Sequence, residues 1–392
     1  MCKLGDVADH FEYGLNASAI EYDGKNKYLR ITDIDDSSRK FIQNKLTSPN
    51  INVEEASNYI LTVGDILFAR TGASVGKTYR YDIKDGKVYF AGFLIRARIK
   101  DSFDSEFVYW TTLTDRYNTF IKIMSQRSGQ PGINAKEYSS FNILIPNIKE
   151  QQKIGAFLKK IDDTIALHQR KLDQLKELKK AYLKAMLISM NTKNNKVPKL
   201  RFADFEGEWD QRKFKAFSKK TGKKNSQNLN YPAYSVSNKS GLISQSEQFN
   251  GNRLDTLEKH SYKIVEPYEF AYNPARINVG SIAFNTLGKP VIVSSLYVVL
   301  QMEDNLNNDF ILQFIKSPAF VREVKRNTEG SVREYLFYEN FANIKFPYTK
   351  NIKEQQKIGA FFKKSDDTIA LRQNKLNQLK ALKKAYLQNM FI

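Results

Sequence analysis

The 392-residue chain contains one cysteine, Cys2, so no disulfide within the chain can brace it, and this usage fits a reducing compartment. No apolar run approaches the roughly 20 residues that a spanning helix needs. The N-terminal stretch MCKLGDVADHFEYG has no signal-peptide core. Both absences point to a cytoplasmic protein with no membrane partner. The three histidines, His10, His168 and His260, are scattered and have no cysteine pairs near them, so no zinc or other metal site is expected. The dipeptide Pro-Asp does not occur, which weakens any nuclease-type carboxylate cluster. Acid is scarce beside base: 42 Asp and Glu face 62 Lys and Arg, a net charge of +20, which favours a polyanionic partner, nucleic acid first. With 41% apolar and 12% aromatic residues the chain can fill more than one core, and its length suits two or three domains.

The chain repeats itself. NIKEQQKIGAFLKKIDDTIALHQRKLDQLKELKKAYL (Asn147 to Leu183) returns 204 residues later as NIKEQQKIGAFFKKSDDTIALRQNKLNQLKALKKAYL (Asn351 to Leu387), with 31 of 37 positions identical. Asn147 with Glu150, and Asn351 with Glu354, have the spacing of a capping box opening a helix. Alternate steps of four and three trace an apolar seam through Ile154, Leu158, Ile165, Leu172, Leu175 and Tyr182, and through Ile358, Phe362, Ile369, Leu376, Leu379 and Tyr386. Each helix would be roughly 50 Å long at about 1.5 Å per residue, and each is the other's simplest partner in a coiled coil. His168 and Arg372 fall on the seam as register-setting polar positions. The identity also covers positions that the seam leaves unconstrained, which we read as exposed: Lys149, Gln151, Gln152, Lys159, Lys160, Asp162, Asp163 and Gln169.

Between the helices the likeness is sparse. GFLIRARI lies over SLYVVLQM, and Val75-Gly76 over Val279-Gly280. Alternating and β-branched runs predict strands near 59–69, 75–81, 88–99, 262–272 and 290–301. The expected architecture is α+β: a domain over 1–146, a helix over 147–190, a linker over 191–212, a second domain over 213–350 and a second helix over 351–392. Two near-identical helices present one surface twice and so should engage two copies of one partner. Two diverged basic domains should read two different ligands.

Two motifs look catalytic and fail on inspection. ARTGASVGKT (Ala69 to Thr78) leaves three residues between Gly72 and Gly76 where a phosphate loop needs four, and it precedes a predicted strand rather than a helix. YNPAR (Tyr272 to Arg276) lacks the second proline and the aromatic by which amino-methyltransferases hold a flipped base. The remaining candidates bind rather than react. They are Arg70, Lys77 and Arg80 around the glycine turn, Arg96 and Arg98 on one strand face, and Arg127, Gln130 and Asn134 in a later loop. In the second domain they are Lys219, Lys220, Lys223, Lys224, Asn273, Arg276, Asn278, Arg326 and Arg333. Arg96 and Arg98 fall over Val299 and Gln301, so the two domains cannot read DNA alike.

The doubled helical block, together with VPKLRFADFEGEWD (Val197 to Asp210), resembles the specificity subunit of Type I restriction-modification enzymes over essentially the whole chain. The resemblance implies two target recognition domains related by a pseudo-twofold axis, each reading half of a bipartite, asymmetric double-stranded DNA sequence across a spacer set by the two antiparallel helices. It implies two methyltransferase subunits, with restriction-translocase subunits completing the enzyme. It further implies a non-catalytic chain without cofactors, S-adenosylmethionine, ATP and Mg being held by the partners. A stand-alone DNA-binding regulator with two heads is the alternative.

Overall fold

The computed structural model describes residues 1–52, 56–126, 129–187, 196–238, 241–248, 259–328 and 335–391. They form two units, Met1–Arg170 with Asn374–Ile392, and Lys171–Gln373.

In the first unit, strands β1 (Ala8–Tyr13), β2 (Asp65–Ala69), β3 (Thr78–Arg80) and β4 (Leu94–Ile99) make an antiparallel sheet in the order β1-β4-β2-β3. Strand β2, DILFA, is buried at every position because both faces of the sheet are covered. Ile66 and Phe68 pack with Phe107, Trp110, Tyr117 and Tyr138 of the helical face. Leu67 and Ala69 pack with Leu29, Val88 and Phe90 on the other. Three short helices, Ser105–Thr111, Asp115–Met124 and Ala135–Ser139, follow the sheet.

The second unit repeats this plan. Strands β5 (Ser218–Lys220), β6 (Phe270–Tyr272), β7 (Ile282–Phe284) and β8 (Val298–Met302) take the order β5-β8-β6-β7, again followed by three helices, Asn308–Ile315, Pro318–Asn327 and Tyr338–Asn343. The fold is therefore α+β, one topology used twice. Four of the expected strand runs are interrupted. The run over 88–99 is two strands, Val88–Phe90 and β4, parted by a turn in which Leu94 N–H donates to Ala91 O. The run over 290–301 parts in the same way at Tyr297 N–H to Ser294 O. The run over 262–272 parts at Glu269 N–H to Glu266 O, and in 59–69 the strand is confined to β2. β-branched periodicity marks the strands, but not the turns hidden between them.

Two helices, Ile148–Met186 and Ile352–Asn389, carry the repeated block. Each unit holds the first half of one and the second half of the other, running antiparallel. In the first unit Phe157 meets Tyr386 edge-on and Lys383 donates to Asp162; in the second Phe361 meets Tyr182 and Lys179 donates to Asp366. None of the twelve seam residues is exposed, and Leu158, Leu172, Phe362 and Leu376 are fully buried. Lys383→Ala and Asp162→Ala should each lower the unfolding free energy by about 1 kcal/mol, because both side chains are mostly screened from water. The double variant should cost less than the two together; additivity in denaturant titrations would show that the pair does not interact.

Several identities outside the seam have internal causes. Gln151 and Asp162 are corrections to the expectation of exposure, Gln151 being 2% exposed and Asp162 held by Lys383 as above. The Gln151 amide oxygen accepts from Asp104 N–H and its nitrogen donates to Pro146 O. Gln355 repeats the arrangement with Asn307 N–H and Thr349 O. Asp104 and Asn307 in turn cap the helices at 105 and 308, so each glutamine fixes a long helix to its own domain through a cap. Gly155 and Gly359 lie beneath those caps, where a Cβ would come within 2.7 Å of the Asp104 or Asn307 side-chain oxygen. Lys159 reaches Glu106, and Lys363 reaches Asp309.

The capping boxes are only half formed. Asn147 and Asn351 accept from Glu150 and Glu354 N–H as expected, but the carboxylate of Glu354 is engaged elsewhere. It is wholly buried, takes two hydrogen bonds from the Arg201 guanidinium (2.7 and 2.9 Å) and one from Thr349 Oγ1. Glu150, the same residue in the first copy, is exposed.

Candidate nucleic-acid interface

At one end of the first sheet, four loops converge. The turn after β2 begins at Arg70, whose N–H donates to Phe93 O and whose carbonyl accepts from Ile133 N–H. The Arg70 guanidinium lies 5.0 Å from the ring centroid of Tyr13, at the end of β1, and Tyr13 Oη accepts from Ala135 N–H. These contacts place Tyr13, Arg70 and Phe93 around one mouth, and the Gln130 side chain lies beside Gly72 of the same turn. Beside it opens a pocket of about 650 Å³ lined also by Arg30, Tyr28 and Asn16.

The glycine turn is not a phosphate cradle. Gly72 N–H donates to Pro131 O, Val75 N–H to Gly72 O, Gly76 N–H to Ala69 O and Lys77 N–H to Ser74 O, so these amides are already satisfied. Gly72 and Gly76 have φ of +67° and +80°, which only glycine adopts without strain, and strand β3 follows directly. The turn shapes the rim.

The expected binding residues divide sharply. Arg70 and Gln130 stand at the mouth, and Asn134 caps the adjacent helix through Glu137 N–H. Arg96 is a correction: its side chain is 3% exposed and paired to Glu12 and Asp65, so this guanidinium is structural. Arg98 shares the wholly buried Asp65, through bonds of 2.8 and 3.0 Å that push its pKa up. Lys77 is also turned inward, to Asp36 and Ile34 O, and Arg80 to Glu106. Arg96 and Arg98 follow strand periodicity, which reports the face of a sheet but not whether that face is covered, and Lys77 and Arg80 flank a turn whose neighbours in sequence do not include the acids that pair with them.

In the second unit Lys219, Lys220, Lys223 and Lys224 are exposed on and after β5. Lys220 reaches Glu339 at 3.5 Å. Lys263 joins them and was missed by the sequence reading, hidden inside an apolar strand run. Its ammonium donates to Tyr297 O, and burial, then the charges of Lys220 and Lys224, push its pKa down. Arg276 is exposed in the turn after β6, where Asn273 Oδ1 accepts from Ala275 N–H and Asn278 is half-buried. Arg326 lies on the helix Pro318–Asn327, paired to Glu323. Arg127 and Arg333 lie outside the described residues. Among the described residues no cluster of three or more His, Cys, Asp or Glu side chains could hold a metal, and no helix is long and apolar enough to cross a membrane.

One domain plan is presented twice, with a loop end whose charged residues differ between the copies. The chain belongs to the Type I restriction modification DNA specificity family, whose model matches residues 1–177 and 208–381. It is similar to the Type I restriction enzyme MjaVIII specificity subunit of Methanocaldococcus jannaschii, 20% identical over 97% of this chain and 89% of that protein. A putative MjaX specificity subunit of the same organism is likewise 20% identical, over 97% and 90%. Its fold matches the crystal structure of the Type I restriction-modification S subunit from M. genitalium, with a TM-score of 0.65 at 14% identity, covering 100% of this chain and 95% of that one. The resemblance drawn from the repeated helical block is borne out.

Proposed function

We propose that this chain is the non-catalytic reader of a bipartite, asymmetric double-stranded DNA target, with each domain contacting one half through its loop end. The observation that carries this is the contrast between one repeated scaffold and its unlike mouths. Arg70 and Gln130 serve the first, while Pro274 stands at the position of Arg70 and the lysines 223, 224 and 263 serve the second. The balance of charge supplies attraction to phosphate, and the differing side chains supply discrimination.

The repeated helices would dock two methyltransferase subunits. Once the internally explained identities are set aside, an exposed set remains on one face of each helix: Leu167, Lys171, Gln174 and Leu178, repeated as Leu371, Lys375, Gln378 and Leu382. The four leucines are 44%, 49%, 70% and 45% exposed, an unusual load of apolar surface to leave in water. Restriction-translocase subunits would complete the assembly, and S-adenosylmethionine, ATP and Mg would be bound by the partners.

Co-expression with a methyltransferase subunit should yield a complex of two such subunits per chain, and methylation mapping of the host genome should show a two-part motif. A chain that binds specific DNA alone and forms no such complex would instead be the stand-alone regulator.

A further inference from the structure

We infer that Phe93 and Leu296 are paired apolar wedges, each inserting into the base stack of its half of the DNA target. The inference rests on the DNA-reading function proposed above. The two residues occupy the same place in the two units. The turn Ala91–Leu94, closed by Leu94 N–H to Ala91 O, sets Phe93 at its third position just before β4; the turn Ser294–Tyr297, closed by Tyr297 N–H to Ser294 O, sets Leu296 at its third position before β8. Such positions ordinarily take Gly, Asn, Asp or Ser. Here both hold a large apolar side chain, 59% and 78% exposed, in domains whose sequences otherwise keep only an outline in common.

Each tip has a cation beside it on another element. Beside Phe93 the Arg70 backbone donates to the Phe93 carbonyl, and the Arg70 guanidinium lies over Tyr13. Beside Leu296 the Lys263 ammonium donates to the carbonyl of the next residue, Tyr297, with the charge of Lys224 close enough to lower the Lys263 pKa. An apolar tip alone would suit a protein partner as well. An apolar tip beside a cation suits a polyanion with an apolar interior, which is a stacked duplex. Different tips, one aromatic and one aliphatic, would favour different base steps and so contribute to asymmetric reading.

The test uses the chain assembled with its methyltransferase subunits, on a duplex carrying the mapped motif, with 2-aminopurine placed in turn at each step except the methylated adenine. Unstacking should raise the fluorescence at one step in each half. Phe93→Ala should abolish the rise in the first half only, and Leu296→Ala in the second half only, each with about 10-fold weaker binding. Phe93→Leu should retain the rise. Both side chains are exposed, so the thermal melting of the complex should not move. Specific binding with silent 2-aminopurine throughout would overturn the wedge while leaving the reading function intact. Absence of any specific binding would overturn that function instead. Loss of methyltransferase subunits from the Phe93→Ala complex would identify the tip as a protein contact and also overturn the wedge.

Discussion

Replacing Arg201 by alanine is expected to lower the unfolding free energy by about 3–5 kcal/mol, the cost of leaving a buried carboxylate unpaired. The Glu354 carboxylate that Arg201 holds is wholly buried, and Thr349 Oγ1 is the one other donor to it among the contacts described above. The same guanidinium also donates to Gly207 O and Glu206 O, so its removal releases the segment that carries Trp209, 1% exposed and packed on Phe310. Phe202 against Phe361, and Lys357 paired to Asp204, would loosen with it. Glu150→Ala removes the same residue type from the first copy and should cost less than about 1 kcal/mol, since that carboxylate is exposed. Replacing Arg201 and Glu354 together by methionine should cost less than Arg201→Ala alone, because no unpaired charge remains. Denaturant titration of the four proteins decides the matter. An Arg201→Ala loss below about 1 kcal/mol would show that water or another cation reaches Glu354.

Exchanging residues 1–146 for the matching domain of a relative should replace one half of the methylated motif and leave the other half unchanged. The original half should lose about 1–3 kcal/mol of discrimination for each base pair that the new domain reads differently, enough over a few base pairs to erase methylation there. The physical basis is that the two cores are separate. The first is built on Phe68, Phe107 and Tyr138, and the second on Phe214, Phe270 and Phe341. The exchange has a structural condition. The incoming domain must keep an N-cap like Asp104 for Gln151, room for Gly155, and an acid like Glu106 for Lys159, since these fasten the domain to its helix. A change in both halves, in methylation mapping of an exchange that meets this condition, would refute two independent readers.

Much of this protein was legible in its sequence. The 204-residue repeat set the order of domain and helix, and the four-and-three stepping found seam positions, none of which is exposed. Such features are local and periodic, so residue spacing alone carries them. The failed phosphate loop was also readable, because a single missing residue between Gly72 and Gly76 denies the geometry.

What the sequence could not decide was which charges face water. Arg96 and Arg98 alternate as a surface pair would, yet a buried acid 31 residues away from the nearer of them, Asp65, draws both into the sheet. Gln151 and Gln152 are adjacent and equally repeated, yet one clamps a domain and the other faces solvent. Glu150 and Glu354 sit in the same repeated NIKEQQ block and differ because Arg201 and Thr349 reach one of them. The turns that raise Phe93 and Leu296 to the tips were concealed within continuous apolar runs. Periodicity determined the scaffold from neighbouring residues. The working surface depended on contacts between residues far apart in the chain, and only the tertiary structure could assign those.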